Sequence, residues 1–379
     1  MPGVRKSLFS AVAGTLVAAG LVVPGALNPA SADPAANPPA PTFPTAPQAA
    51  PVKWSSQLGP VPRAATSTAP ALMYEPFPVV RERYQYELRL LLFWSDLKPG
   101  FGISYQSSIS LPRNQWSPPA EVDGGKAVTN SQPSATPLNS PVPGQLIVAW
   151  TNRTNSRVMY SIGQPRPHYL LEWSLADAIP GAAASGGPAV YSPSNSDVVL
   201  VTWKSAIGDA IDYSVGRLAD NDRLIWLKGS VIPKAKATSA PAIAEVSTGI
   251  ASGQIYVLWT GPGRTGPVEF ATTADPFAGR PRWTAPAALP ASVRSGAAPA
   301  AQAIGTQASY ALLVVYRALS GSALYYVTIA KGGKVSKPLE VPNLRSANGL
   351  ALTQGVLAAQ SPDPDSIFYQ TYVRACAGC

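Results

Sequence analysis

The sequence runs to 379 residues, of which 41 are Pro and 31 are Gly, and proline at that frequency excludes long helices. Hydrophobic residues make up 46% and charged residues only 13%, which excludes a highly charged disordered chain and supplies material for a large core. The formal net charge of +9 points toward anionic rather than cationic partners.

At the start of the chain, Arg5 and Lys6 precede an apolar run from Leu8 to Val23, which Pro24 and Gly25 break before Ala30-Ser31-Ala32. That order of charge, apolar run and small residues predicts a secretory signal peptide over residues 1–32, cleaved after Ala32. The run is too short to span a bilayer comfortably and no second one follows, so a secreted protein with no membrane span is expected. Residues 33–52 carry seven prolines among small residues, with little to bury, and read as a flexible polyproline-type arm.

Beyond the arm the chain repeats. An apolar strand ending in Trp occurs at Leu92-Phe93-Trp94, Val148-Ala149-Trp150, Val201-Thr202-Trp203 and Val257-Leu258-Trp259, and continues without Trp at Val314-Val315 and Leu357-Ala358. About ten residues after each comes an aromatic residue, namely Tyr105, Tyr160, Tyr213, Phe270, Tyr326 and Tyr369, the spacing of two strands joined by a turn. A third element pairs Trp with a following residue at Trp116-Ser117, Trp173-Ser174, Trp226-Leu227 and Trp283-Thr284, with Val335-Ser336 in the same frame. A fourth is a short segment of small residues at Pro70-Ala71, Pro133-Ser134, Pro188-Ala189, Pro241-Ala242, Pro299-Ala300 and Gly349-Leu350.

A period of about fifty to sixty residues with four strand-like elements predicts propeller blades. The Pro-Ala segment is strand A, lining the channel where bulky side chains would collide, and strands B, C and D follow outward. There are six A-B-C sets but only five D elements after them, and Lys53-Trp54-Ser55 has the D pattern at the other end. The expectation is therefore an all-β, six-bladed β-propeller of four-stranded blades over residues 53–379, closed by its N-terminal strand. Seven blades is the alternative, should the long first unit hide an extra hairpin.

The six-fold repeat with a D-strand Trp and strand closure resembles the sialidase-like propeller superfamily and the fungal fucose-binding propeller lectins, over nearly all the chain after Val52. The resemblance is architectural. Sialidases carry Ser-x-Asp-x-Gly-x-x-Trp boxes, an arginine cluster and a Tyr-Glu pair, and no such box occurs here. The lectins pair an Arg near strand B with a Glu one hairpin later. Here Arg89 meets Ser104, and Glu269 has no matching Arg. No catalytic or fucose-site residue is carried over. In its exported organisation the chain is also similar to streptomycete proteins that induce autolysis of dispase-type proteases and serve as transglutaminase substrates. That likeness implies an alternative role as modulator of a secreted protease and cross-linking substrate.

Residues that carry chemistry are few. The single histidine, His168, reads as a loop residue, which leaves little basis for a His-centred triad or zinc cluster. Gly261-Pro262-Gly263-Arg264-Thr265-Gly266 matches a G-x-G-x-x-G string, but a strand follows where a phosphate site needs a helix, so it reads as a hairpin turn. Asp363 and Asp365 are two turn carboxylates, short of the six or more oxygens of a calcium site. No cofactor and no metal is expected. Cys376 and Cys379 in an exported chain predict a structural C-x-x-C disulfide, an intermolecular pair being the alternative.

Two features are candidates for binding. All B–C turns of a propeller open on one face, and five of the six here carry a base: Lys98, Arg153, Lys204, Arg264 and Arg317. This basic rim fits an anionic ligand. In the long first unit, Arg81, Arg83, Gln85, Glu87 and Arg89 alternate with Tyr84, Tyr86, Leu88 and Leu90, a period-two strand with one polar and one apolar face. It reads either as an extended blade edge or as a hairpin presenting Arg81, Arg83, Tyr84 and Tyr86 to a protein partner.

The leading functional expectation is a secreted, monomeric binding propeller recognising a carbohydrate, an anionic wall polymer or a secreted protein, with no nucleic-acid role. The alternative is a secreted glycoside hydrolase or lyase using channel-facing carboxylates, with Glu121, Asp123, Glu172 and Glu245 as candidates.

Overall fold

Each run of continuous apolar residues around a B-strand Trp needs cover on both faces, and it receives that cover from the sheets on either side. The computed structural model describes residues 52–78, 86–97, 100–110, 114–138, 144–166, 170–193, 197–219, 223–246, 253–263, 266–276, 281–305, 310–330, 333–362 and 365–374. The expected signal segment and arm up to residue 51 lie outside these, as do Arg81, Arg83, Tyr84, Lys98, His168, Arg264, Asp363, Cys376 and Cys379.

Six antiparallel sheets form six blades, with strands A to D running outward from a central channel. Blade 1 is Ala71–Pro78, Tyr86–Ser95, Ile103–Ser110 and Gln115–Trp116. Blade 2 is Ser134–Pro137, Leu146–Thr151, Arg157–Arg166 and Leu170–Trp173. Blade 3 is Ala189–Tyr191, Val198–Lys204, Ala210–Leu218 and Leu224–Trp226. Blade 4 is Ala242–Val246, Gln254–Thr260, Val268–Thr273 and Ala287–Ala288. Blade 5 is Ala300–Ile304, Ala311–Arg317, Ala323–Ala330 and Leu339–Arg345. Blade 6 is Leu350–Thr353, Val356–Gln360 and Ile367–Arg374, completed on its outer edge by the N-terminal strand Val52–Leu58.

The closing strand pairs Val52 with Arg374 and Trp54 with Tyr372, then shifts register before Gln57 meets Gln370. The shift is held by Ser55, whose hydroxyl accepts from the Thr371 N–H at 3.1 Å. The same device recurs on the outer edge of other blades. After the marker Trp, or Val335 in its place, a hydroxyl accepts a C-strand amide at Ser117 from Ser107 (3.0 Å), Ser174 from Ile162 (2.9 Å), Thr284 from Thr272 (2.9 Å) and Ser336 from Thr328 (2.9 Å). The side chain thus satisfies a donor where the ladder breaks. Beyond the break a second segment returns to the same C strand at Ala120–Glu121, Asp177–Ala183 and Ser230–Lys236. In blades 4 and 5 the expected D elements are not strands: Trp283-Thr284 and Val335-Ser336 hold this junction, and the strands proper are the later Ala287–Ala288 and Leu339–Arg345.

The core is six wedges, one at each junction between successive blades. Five of them contain the same aromatic staple, a Trp on or just before the D strand meeting the C-strand Tyr of the preceding blade. The pairs are Trp116–Tyr369, Trp173–Tyr105, Trp226–Tyr160, Trp283–Tyr213 and Trp54–Tyr326, with ring centroids 5.3–5.7 Å apart in edge-on geometry. At the sixth, between blades 4 and 5, Val335 packs in the cluster that holds Phe270. Two glycines make room for the indoles. A Cβ on Gly163 or Gly216 would lie 2.9 Å from Trp173 or Trp226, inside van der Waals contact.

Candidate functional site

The six A strands surround a central channel of about 970 Å³. Their register sets its chemistry from end to end. Where the chain enters each A strand the lining is small or proline: Ala71, Ser134, Pro188, Ala189, Pro241, Ala242, Pro299 and Ala300. These residues pair with the ends of the B strands, as in Ala71 with Phe93 and Ala300 with Val315, so this mouth lies on the face where the B–C turns open. Toward the A–B turns the lining enlarges and becomes polar, with Tyr74, Glu75, Tyr191, Glu245 and Tyr310.

Glu75 stands on the long A strand of blade 1. It is 2% exposed, and its Oε2 has no hydrogen-bond partner. Burial pushes its carboxyl up to about 9, so the group is protonated at neutral pH. The cross-strand neighbour Arg89 does not neutralise it. That guanidinium is also buried and donates to Glu87 Oε2 (2.9 and 3.2 Å) and to Ser107 Oγ (3.3 Å).

Glu245 stands on the A strand of blade 4, directly across the ring from blade 1. It accepts hydrogen bonds from the Tyr191 hydroxyl of blade 3 and from the Gly253 N–H at 2.9 Å. Gly253 is required there, because a Cβ would fall 2.7 Å from Glu245 Oε1 and 2.6 Å from the Val246 carbonyl. Burial raises the Tyr191 hydroxyl far above its ordinary value, and the Glu245 carboxyl beside it adds to the effect. Burial likewise raises Tyr74. No Lys, Arg, His or Asp lines this channel among the described residues, and none of these residues forms a metal-ligating cluster of three.

Of the four carboxylates expected to face the channel, only Glu245 does so. Glu121 and Asp123 lie at the outer edge of blade 1, in the segment Ala120–Glu121 and the 3-10 turn Val122–Gly125. Glu172 is on the outer strand of blade 2, ion-paired with Arg166. Outer strands are remote from the axis by construction, whichever way their side chains turn. Sequence reasoning missed Glu75, although an acid inside the otherwise apolar Ala-Leu-Met-Tyr-Glu was the available signal. Of the alternating run 81–90, the described residues 86–90 lie in the B strand of blade 1. There Leu88 is 61% exposed at the channel wall while Arg89 is buried. Tyr86 lies at the A–B hairpin of blade 1, opposite Pro78.

Of the described bases of the rim, Arg153 lies on a B–C turn and Lys204 and Arg317 end their B strands, and the side chains of all three already hold neighbours. Arg153 stacks over Phe101 of the preceding blade at 3.8 Å. Lys204 donates to Ser185 Oγ (2.8 Å) and the Gly208 carbonyl (3.2 Å). Arg317 donates to the carbonyls of Ala347 and, at 3.3 Å, Gly296. On the same turns Leu97, Ile207 and Leu319 are exposed, and all three sit on alternate blades. Asp365 is engaged locally, accepting from Gln360 Nε2 at 3.1 Å. On either side of the Gly261–Gly266 stretch Thr260 pairs with Val268, and a Cβ on Gly266 would fall 2.2 Å from the Gly261 carbonyl. Glu269 accepts the Trp259 indole N–H at 3.1 Å.

No protein-family model and no curated protein sequence matches the chain. Solved structures match it in fold. An α-L-arabinofuranosidase of Fusarium graminearum in complex with arabinobiose aligns with a TM-score of 0.57 at 13% identity, covering 85% of this chain and 98% of its own. The NanB sialidase of Streptococcus pneumoniae aligns at 0.54 and 11%, covering 86% and 71%. The Aleuria aurantia lectin in complex with Fucalpha1-6GlcNAc aligns at 0.51 and 13%, covering 82% and 97%. At such identities the likeness is one of fold, and it agrees with the architecture read from the repeats.

Proposed function

We propose that this is a secreted carbohydrate-binding propeller that takes a glycan into the A–B end of its central channel. The observation that carries the reading is the A–B end of a channel about 970 Å³ in volume, lined by Tyr74, Tyr191, Tyr310 and Glu245. The tyrosines and Glu245 around it supply the mixture of flat apolar faces and hydrogen-bonding groups that a sugar ring requires. The fold is compatible with such a ligand, since the Aleuria lectin and the Fusarium enzyme both hold oligosaccharides. A glycan array followed by calorimetry on the secreted chain tests the reading. Binding should be retained when Lys204 is changed to Ala and lost in Glu75→Gln and Glu245→Gln. An array with no hits, or unchanged affinity in both channel variants, refutes it.

One observation favours hydrolysis as a second reading: a protonated carboxyl, Glu75, lies across the ring from a second carboxyl, Glu245. Glycoside hydrolysis uses such a pair, one residue as acid and the other as base or nucleophile. Release of reducing ends from a bound oligosaccharide, abolished in either Gln variant, would establish it. Binding without release leaves the channel as a lectin site.

A further inference from the structure

Of the two acids on the channel wall, Glu75 is 2% exposed and Glu245 is the one that stands partly open. Glu245 is the last residue but one of its A strand, Ala242–Val246, and so sits beside the A–B turn. Both of its oxygens accept hydrogen bonds, Oε1 from the Gly253 N–H at 2.9 Å and Oε2 from the Tyr191 hydroxyl. A carboxyl that accepts at both oxygens is the carboxylate, and each oxygen keeps a further lone pair for a ligand. We propose that Glu245 selects the charge of the sugar, so that the A–B end of the channel takes an uncharged oligosaccharide and rejects one that carries carboxylates. The proposal rests on the channel being the glycan site, and it adds the class of glycan and the residue that decides it.

The wall offers an anionic sugar no partner. Among the described residues no Lys, Arg or His lines the channel, so a carboxylate brought in there loses water, gains no counter-ion and meets Glu245 as a like charge. The A–B turns add little. By sequence, those of blades 2, 4, 5 and 6 (residues 138–145, 247–253, 305–310 and 354–355) contain no Asp, Glu, Lys or Arg. In blade 3 the turn carries Asp197, an acid already paired with Arg217 at 3.5 Å. The turn of blade 1 carries Arg81, Glu82 and Arg83, which lie outside the described residues.

An uncharged sugar meets the same groups favourably. Its hydroxyls donate to the spare lone pairs of Glu245, and Tyr74, Tyr191 and Tyr310 offer ring faces to its C–H groups. Burial holds the Tyr191 hydroxyl far above its ordinary value, so it stays a proton donor that fixes the Glu245 carboxylate in place. This local preference runs against the field of the molecule. A net charge of +9 draws anionic glycans toward the protein, and a channel without a base sorts them from neutral ones at the point of entry.

A glycan array of paired probes, read with the full secreted chain at pH 7.5, tests this. Neutral oligosaccharides, among them cellotetraose, maltotetraose, β-1,4-mannotetraose and β-1,4-galactotetraose, are each printed beside the same chain with its primary alcohols oxidised to carboxylates. Calorimetry then measures every pair that gives a hit. The wild type should bind the neutral member at least about tenfold more tightly than the oxidised one. Glu245→Gln should weaken the neutral sugar, whose acceptors it removes, and bind the oxidised sugar about tenfold or more tightly than the wild type does, because an amide donates where the carboxylate repels. That crossing of preferences is a readout a purely structural role of Glu245 does not supply. Tyr191→Phe keeps the carboxylate and should keep the rejection of oxidised sugars. Oxidised sugars that bind the wild type as tightly as neutral ones would overturn the selection and leave the glycan reading standing. A neutral preference that persists in Glu245→Gln, with no gain for the oxidised sugar, or one that disappears in Tyr191→Phe, would overturn the assignment to Glu245. An array without hits overturns the glycan reading and the proposal together. Circular dichroism on both variants guards against misfolding.

Discussion

Replacing Glu75 by Gln isolates the energetic consequence of burying an unpartnered carboxyl. In the folded chain its titration is pushed up to about 9, against 4.5 as the ordinary value. A folded-state value above the unfolded one means that the native protein holds a proton which the unfolded chain has released. The associated stability is fully present below the unfolded value and is lost as pH rises toward the folded one. The limiting slope for one proton is about 1.4 kcal/mol per pH unit, so by pH 7 the wild-type protein has lost about 3 kcal/mol relative to its stability near pH 4.5. Gln has the shape of the protonated acid and does not titrate. The variant should therefore match the wild type within about 1 kcal/mol at pH 5 and exceed it by about 3 kcal/mol or more at pH 8. Urea unfolding followed by tryptophan fluorescence at pH 5, 6, 7 and 8 measures the difference. Titrations common to both proteins cancel in that difference. A variant whose midpoint runs parallel to the wild type across this range, or falls below it at pH 8, would refute the argument that Glu75 is desolvated and unpaired.

Other substitutions probe the ring and its rim. Gly216→Ala places a methyl 2.9 Å from the Trp226 indole and should cost about 1–3 kcal/mol, visible as a lower Tm, and Gly163→Ala should do the same against Trp173. Trp283→Ala removes a fully buried indole from the junction of blades 3 and 4 and should cost about 3–5 kcal/mol, whereas Ile207→Ala on an exposed turn should stay within about 0.5 kcal/mol. Deleting Val52–Leu58 exposes the C strand of blade 6 as an unpaired edge, so size-exclusion chromatography should find oligomers or aggregate instead of a single species. Charge reversal at Lys98, Arg153, Lys204, Arg264 and Arg317 together should abolish retention on an anionic wall polymer while leaving channel binding of a glycan unchanged. Unchanged retention removes the rim as a ligand surface.

The repeat was legible because its marker residues perform one job at every junction. Trp116, Trp173, Trp226, Trp283 and Trp54 recur in the sequence because each meets a C-strand Tyr in space, and Lys53-Trp54-Ser55 was recognisable as a displaced D strand for that reason. The hydroxyl after the Trp was visible too, although not its purpose of accepting a C-strand amide. The site was less legible. Whether an acid faces the channel depends on the strand that bears it, and only A strands reach the axis. Glu245 fell in a recognised A segment, whereas the A strand of blade 1 continued past Pro70-Ala71 through an interval read as insertion, and Glu75 lay within it. Alternation also fails as a guide to exposure when a sheet is covered on both faces, which is how Arg89 came to be buried and Leu88 exposed.

Closure by the N-terminal strand imposes an order on synthesis. Val52–Leu58 leaves the ribosome before any blade exists, and its partner Ile367–Arg374 is made only after the other five blades. The first strand therefore waits, unpaired, through the production of blades 1 to 5, and the wedges on either side of blade 6 cannot be completed before Ile367–Arg374 is made. A nascent chain so arranged keeps its ring open until Ile367–Arg374 has emerged.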